Sequence, residues 1–102
     1  MTPEAKTKAH IKRILDAHSV YYFMPAANGY GRAGIPDFIV CANGRFLAIE
    51  AKAGRGQTTA LQERELSRIR ANGGRALVVY DDEAHFDLLI KTITEMKNAP
   101  SF

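Results

Sequence analysis

The sequence has little that would place the chain outside the cell or in a membrane. Its single cysteine, Cys41, cannot form a disulfide within the chain. Because Cys41 lies in an apolar run, we expect it to behave as a small hydrophobic residue. No apolar stretch approaches the roughly 18 residues that a membrane-spanning helix needs, and no signal peptide is expected at the start. The sequence therefore predicts a soluble, intracellular protein.

Repeats, low-complexity stretches and internal linkers are also absent. The 102 residues, 46% hydrophobic and 25% charged, have the composition of one globular domain. We assign that domain to residues 1–97 and a C-terminal tail to residues 98–102. The three histidines lack the spacing of metal ligands, which favours surface or partly buried positions for His10, His18 and His85.

The charge of the chain is unevenly distributed. The net charge is +3 and the pI is about 9.2, and basic residues outnumber acidic ones between positions 45 and 75. This run predicts either a surface that faces phosphates or a solvated helix face of mixed charge. For a charge run taken alone, the solvated face is the commoner explanation.

Hydrophobic periodicity and capping residues predict seven elements in the order α-β-β-β-α-β-α. The Asn43-Gly44 pair between the second and third strands is the strongest short signal of a hairpin. A β-α-β crossover follows, so we expect a mixed sheet with helices on its faces. In the middle helix, Leu61, Leu66 and Ile69 are expected to turn inward. The predicted elements are a helix over 3–17, strands over 20–24, 37–42 and 45–52, a helix from Thr58 or Thr59 to Asn72, a strand over 76–80 and a helix after Asp81 or Asp82.

The hairpin register brings acidic and basic side chains together. If Asn43-Gly44 is a two-residue turn, outward pairing places Asp37 opposite Glu50, and Lys52 points to the same face. Opposed carboxylates repel each other and are costly to hide at the end of an apolar hairpin. A Mg²⁺ ion between them would relieve both problems, and the backbone carbonyl of Ala51 could add a ligand.

This constellation predicts metal-assisted hydrolysis of phosphodiester bonds, with Lys52 beside the attacking water and the phosphate. The competing interpretation is a solvated salt-bridge cluster at the end of a strand, which is the usual meaning of an isolated E-x-K. A β-bulge would shift the register and weaken the prediction.

Two short motifs carry a resemblance to a known family. Ile35-Pro36-Asp37 followed by Glu50-Ala51-Lys52 resembles the PD-(D/E)XK nuclease signature. With Gly34 before the first motif and Gln62 in the following helix, the chain resembles the VRR-NUC family more narrowly. The resemblance extends from Glu4 to about Tyr80 and implies the restriction-endonuclease-like α/β core of that superfamily.

The resemblance also implies roles for individual residues. Asp37 and Glu50 would bind Mg²⁺ or Mn²⁺, Lys52 and Gln62 would be catalytic, and Glu4 in the first helix would approach the metal. Stand-alone members of the family resemble homodimeric resolvases of four-way DNA junctions, many of them from phages and prophages.

The resulting hypothesis is a Mg²⁺-dependent, structure-selective DNA endonuclease that resolves Holliday junctions as a homodimer in the cytoplasm of a bacterial or phage-infected cell. One alternative is a flap or nicking nuclease of the same fold. The other is a catalytically silent DNA-binding module that uses only the basic surface.

Four weaker signals lie near these motifs. The G-x-G-x-x-G pattern over 29–34 is not a dinucleotide site, because Pro36 and a strand follow it instead of a helix. Tyr30 in that loop could stack on a base, although a loop tyrosine more often packs or lies at the surface. Arg32 either contacts phosphate or is solvated, whereas Arg55 is well placed for the DNA backbone.

Overall fold

A computed structural model describes residues 1–26 and 32–100 of the chain. The order of elements is the predicted α-β-β-β-α-β-α. Within the described ranges, no helix is both long and apolar enough to cross a membrane. The elements are α1 (Pro3–Ala17), β1 (Tyr21–Phe23), β2 (Phe38–Ala42), β3 (Arg45–Ala51), α2 (Ala60–Ala71), β4 (Arg75–Val79) and α3 (Glu83–Asn98).

Each helix begins at a side chain that caps it. The hydroxyl of Thr2 accepts a hydrogen bond from the backbone N–H of Ala5, and Pro3 occupies the first turn, where its missing N–H costs nothing. The carboxylate of Asp82 accepts from the N–H of His85 at the start of α3. These local signals explain why the helices begin where the sequence predicts.

One sheet holds the strands in the order β1-β2-β3-β4. The first two pairings are antiparallel, and β3 and β4 are parallel. Asn43 and Gly44 have φ angles of 52° and 75°, as the turn of a tight hairpin requires. The ladder pairs Ala42 with Arg45 and continues to the pair of Phe38 and Ile49. The predicted register is therefore confirmed over this stretch, without a bulge.

The sheet lies between two layers of helices. Helices α1 and α3 pack on one face, where their apolar side chains meet Phe38, Val40, Leu47 and Ile49 in the larger core. Helix α2 packs on the other face through Leu66, against Ala48 and Ala76. Alternate residues of β3 thus belong to opposite cores, as the two-residue period of a strand dictates.

The side chain of Leu61 differs from its predicted position. Leu61 is 48% exposed, whereas Leu66 is buried and Ile69 is half-buried, as predicted. Leu66 lies five positions after Leu61 in the helix, which places the two side chains about 140° apart around the axis of α2. Cys41 is exposed, because its side of the sheet extends beyond the part that α2 covers.

Candidate active site

The hairpin fixes Asp37 and Glu50 next to each other. The pair of Phe38 and Ile49 is the last main-chain pair of the ladder, and Asp37 and Glu50 are the next residues outward. A carboxylate oxygen of Asp37 (Oδ2) accepts a hydrogen bond of 2.8 Å from the backbone N–H of Ala51. The side chain of Asp37 therefore continues the contacts between the strands and is held over the end of β3.

The carboxyl of Glu50 is almost entirely buried, since the residue is only 3% exposed. Its Oε2 atom accepts a hydrogen bond of 3.2 Å from the side-chain amide of Gln62. Burial, followed by the charge of Asp37 and a hydrogen bond to it, raises the pKa of Glu50 from its ordinary value of 4.5 to about 8. At neutral pH, the pair of carboxyls therefore retains a proton while no metal is bound.

Lys52 joins this pair from the residue directly after β3. Its backbone N–H donates to the carbonyl of Val79 at 3.0 Å, which extends the parallel pairing with β4 by one step. The ammonium nitrogen of Lys52 lies 3.8 Å from Glu50 Oε2 and 4.0 Å from Glu4 Oε1 of α1. The stem of Lys52 is buried, so its charge is directed at the carboxylates.

Gln62 links the site to the start of α2. Its backbone N–H donates to the hydroxyl of Thr59, and its side-chain oxygen accepts from the backbone N–H of Thr59 at 2.9 Å. This reciprocal arrangement is a capping box. Because the oxygen of Gln62 is engaged in the cap, its NH₂ group is directed toward Glu50. Gln62 is half-buried, and its side chain contacts both the helix cap and Glu50.

Lys8 is the site residue that sequence reasoning missed. Its ammonium nitrogen lies 3.3 Å from Asp37 Oδ1 and 4.0 Å from Glu4 Oε2. Lys8 follows Glu4 by one helical turn, so both point from the same face of α1. That spacing was the available signal, but only the docking of α1 beside the hairpin shows that the lysine reaches Asp37.

Gly34 allows the segment before Asp37 to approach α2 closely. Its φ angle is +85°, and a Cβ atom there would lie 2.5 Å from both the backbone carbon and the backbone oxygen of Leu61. No side chain fits at that distance. Glycine is therefore required at the first position of the Gly34-Ile35-Pro36-Asp37 motif, because this segment contacts the first turn of α2.

The two arginines predicted to contact DNA lie outside the cluster of carboxylates. Arg32 donates to Glu65 of α2 at 3.0 Å, and it lines a cavity of about 350 Å³ together with Phe46 and Arg68. Arg55 is exposed in the loop after Lys52, and none of the hydrogen bonds or ion pairs among the described residues involves it. Tyr30 and the glycines at positions 29 and 31 lie outside the described residues.

The donor set at the site fits a magnesium ion through two carboxylates. Mg²⁺ commonly binds one or two carboxylates and completes its shell with waters and phosphate oxygens, and the carboxyls of Asp37 and Glu50 lie next to each other. Within the described part of the chain, no group of three or more His, Cys, Asp or Glu side chains could hold a metal ion. Glu4 faces Lys8 and Lys52 instead, so metal ligation by Glu4 and by the Ala51 carbonyl stays a prediction.

Comparison with known proteins gives matches at the level of structure. No family model matches the chain, and no curated protein does. A solved structure described as "VRR_NUC domain" aligns with a TM-score of 0.72 and 23% identity, covering 89% of this chain and 97% of its own. A second, described as "VRR_NUC domain protein", aligns with a TM-score of 0.70 and 20% identity, covering 99% and 93% of the two chains. This chain therefore has the fold of the VRR_NUC domains, the fold that the resemblance of its motifs implies.

Proposed function

We propose that this chain is a metal-dependent nuclease that hydrolyses phosphodiester bonds in DNA. The observation that carries the proposal is the buried contact between Asp37 and Glu50, with the ammonium of Lys52 at 3.8 Å from Glu50. A salt-bridge cluster formed only for stability has no reason to hold two carboxyls together at a raised pKa. The fold and the PD-(D/E)XK-like motifs support the same proposal.

In this proposal, Asp37 and Glu50 hold the metal. A divalent ion there would supply positive charge to a bound phosphate and would acidify water. The protein keeps each carboxylate in place by a separate contact, since the N–H of Ala51 holds Asp37 and the amide of Gln62 holds Glu50. Gln62 is thus a positioning residue, because it acts through Glu50.

Lys52 contributes a fixed positive charge beside the carboxylates. Its ammonium can donate to a phosphate oxygen and to the attacking water, and its buried stem restricts where that charge lies. Glu4, at 4.0 Å, limits the direction of the ammonium from the side of α1. The charge that develops on the phosphate during attack therefore meets a preorganised donor.

The substrate and the assembly are narrower parts of the proposal. We propose that the ion is Mg²⁺, which Mn²⁺ can replace, and that the protein cuts branched DNA, in particular four-way junctions, as a homodimer inside a bacterial or phage-infected cell. The family resemblance supports these points. A dimer with a twofold axis would offer two equivalent sites for the two strands that must be cut.

A cleavage assay on defined DNA structures tests this function. Labelled four-way junction, flap and linear duplex are incubated with the protein in Mg²⁺ and, separately, in EDTA. We expect paired symmetric cuts in the junction that need Mg²⁺ and that Lys52→Met reduces by at least about a hundredfold, because the buried stem is kept while the charge is lost.

The other outcomes discriminate between the alternatives. Cuts confined to flaps or to linear duplex would retain the nuclease and discard the resolvase. Tight DNA binding without Mg²⁺-dependent cutting of any substrate would identify a silent DNA-binding module and overturn the proposal. Lys12→Met is the matched control, since Lys12 pairs with Asp16 at 3.3 Å, on the same helix as Glu4 but in a separate ion pair.

A further inference from the structure

The face of the sheet that carries α2 is only partly covered. Helix α2 reaches Ala48 and Ala76 through Leu66, with Ile39, Ile69 and Val78 packed around them. These contacts cover β3 and β4 and the nearer part of β2. In the described part of the chain, none of the residues beside the hairpin turn or in the edge strand β1 belongs to the α2 core.

Strand pairing aligns four residues on this uncovered part of the sheet. Tyr21 pairs with Cys41, and Cys41 pairs with Phe46, so the three form a row across β1, β2 and β3. Phe23 pairs with Ile39, whose side chain packs in the α2 core, so Phe23 points to the same side. We call Tyr21, Phe23, Cys41 and Phe46 the aromatic face.

The aromatic face is exposed to a degree that is unusual for large apolar side chains. Tyr21 is 70% exposed, Phe23 48% and Phe46 43%, and Cys41 is also exposed. With about 200 Å² for each ring side chain, the three aromatic residues leave roughly 300 Å² uncovered. That is more than a third of the ~800 Å² that each partner buries in an interface of standard size.

The composition of the aromatic face indicates a protein partner. None of its four residues is charged, whereas a surface that binds nucleic acid has cations among its aromatic residues. The charges lie beside it, in the cavity lined by Phe46, where Arg32 pairs with the largely buried Glu65 and Arg68 adds a second cation. An apolar centre with aromatic residues and a rim containing arginine is the usual anatomy of a protein interface.

We infer that the aromatic face is the surface through which two copies of this chain associate. The inference rests on the homodimer of the proposed function and adds the surface. The aromatic face carries no charge, so it can face its own copy across a twofold axis without repulsion. Edge strand β1, only three residues long, also becomes protected in such a dimer.

The position of the aromatic face has a consequence for the active site. Phe46 and Glu50 lie on the same side of β3, four residues apart, which corresponds to about 13 Å along the strand. Association through the aromatic face would leave each carboxylate pair accessible at the other end of β3. It would also fix the separation of the two active sites.

Sedimentation of single-charge variants tests the surface. Phe46→Glu and Tyr21→Glu each place a carboxylate in the row, and Leu88→Glu is the matched control, since Leu88 on α3 is 46% exposed and lies outside the aromatic face. We expect the wild type and Leu88→Glu to sediment at twice the chain mass of 11.3 kDa and both row variants at that mass. Circular dichroism checks that each variant is folded. If Phe46→Glu does not fold, Tyr21→Glu still tests the surface, because Tyr21 is the more exposed position.

Cys41 supplies an independent measurement, because it is the only cysteine of the chain and lies in the centre of the row. We expect its reaction with a thiol reagent to be at least about tenfold slower in the wild-type dimer than in Phe46→Glu, since an interface core excludes solvent.

Either of two results would overturn the inference. One is a wild-type protein that stays monomeric over about a hundredfold range of concentration. This result overturns the inference also if the row variants lose binding to single-stranded DNA, because the aromatic face would then bind nucleic acid. The other is a dimer that neither row variant disrupts. A dimer without nuclease activity would contradict the proposed function alone, and an active monomer would contradict only the assigned surface and the dimer.

Discussion

The carboxyl of Glu50 lies beside Asp37 and under Gln62, and burial is the main cause that raises its pKa to about 8. In the unfolded chain, the same group has its ordinary pKa of 4.5. Between these two pH values, the folded chain holds a proton that the unfolded chain has released. The contribution of Glu50 to stability is therefore fully present below about pH 4.5 and is lost as the pH rises through about 8.

This difference predicts how the metal-free protein responds to pH. In EDTA, we expect the free energy of unfolding of the wild type to fall from pH 5 to pH 8 more steeply than that of Glu50→Gln, by at most about 1.4 kcal/mol per pH unit, the limit for one proton. Glu50→Gln should be the more stable protein at pH 8. Urea unfolding at several pH values measures the pH dependence and the stability of each protein. Glu63→Gln is the control, because Glu63 is an exposed residue of α2. Equal slopes for the wild type and Glu50→Gln would contradict the raised pKa.

Lys8 lies where it would compete with a metal ion for Asp37. Its ammonium lies 3.3 Å from Asp37 and provides the positive charge that a metal ion would bring. A metal at Asp37 must therefore displace Lys8. The ion pair is partly exposed and worth up to about 1 kcal/mol, so Lys8→Met should bind Ca²⁺, a non-cleaving probe of the site, roughly two- to fivefold more tightly by calorimetry.

Lys12→Met is again the control, because Lys12 pairs with Asp16, whose side chain is 56% exposed. Weaker Ca²⁺ binding by Lys8→Met than by Lys12→Met would show that Lys8 supports the metal site and would reverse this interpretation.

Local signals in the sequence determine most of the secondary-structure elements and their pairing. The Asn43-Gly44 turn sets the hairpin register, and Thr2, Thr59 and Asp82 set the starts of the helices. The register in turn placed Asp37 next to Glu50 and Lys52 beyond them, because pairing along a ladder follows from the turn alone. The core of the candidate site could therefore be predicted without knowledge of tertiary packing.

Contacts between elements that are distant in sequence could not be predicted in the same way. The approach of Lys8 to Asp37 depends on how α1 docks, and the pairing of Arg32 with Glu65 depends on where the loop meets α2. The exposure of Cys41 depends on which part of the sheet α2 covers. Hydrophobic periodicity shows which face of a helix or strand is buried, but it does not show how much of that face a neighbouring element covers.

The close approach of Gly34 to α2 predicts a specific cost of adding a methyl group. Gly34→Ala should lower the free energy of unfolding by more than about 1 kcal/mol, since its φ is positive and its Cβ would meet backbone atoms of Leu61. Gly73→Ala is the matched control, because Gly73 also has a positive φ, +89°, but open space around it. Denaturant unfolding compares the two, and an equal loss in both would contradict the steric role of the contact.

The sheet and the two helix layers of the molecule meet at the candidate active site. The sheet supplies Asp37, Glu50 and Lys52, α1 supplies Glu4 and Lys8 from one side, and α2 supplies Gln62 from the other. Each layer therefore contributes a group that restrains the carboxylate pair. The chain as a whole carries a net charge of +3, which suits a polyanionic substrate while the site itself collects the acidic groups.

In the proposed function, the pair formed by Asp37 and Glu50 is a metal site that retains a proton until the metal binds. Calorimetry of Ca²⁺ binding at pH 7, in buffers with different ionisation enthalpies, measures the protons released per metal. With a pKa of about 8 for Glu50, we predict the release of close to one proton by the wild type and, for Glu50→Gln, weaker binding without that release. Binding of equal strength in both proteins, or no binding to the wild type, would contradict the proposed metal site.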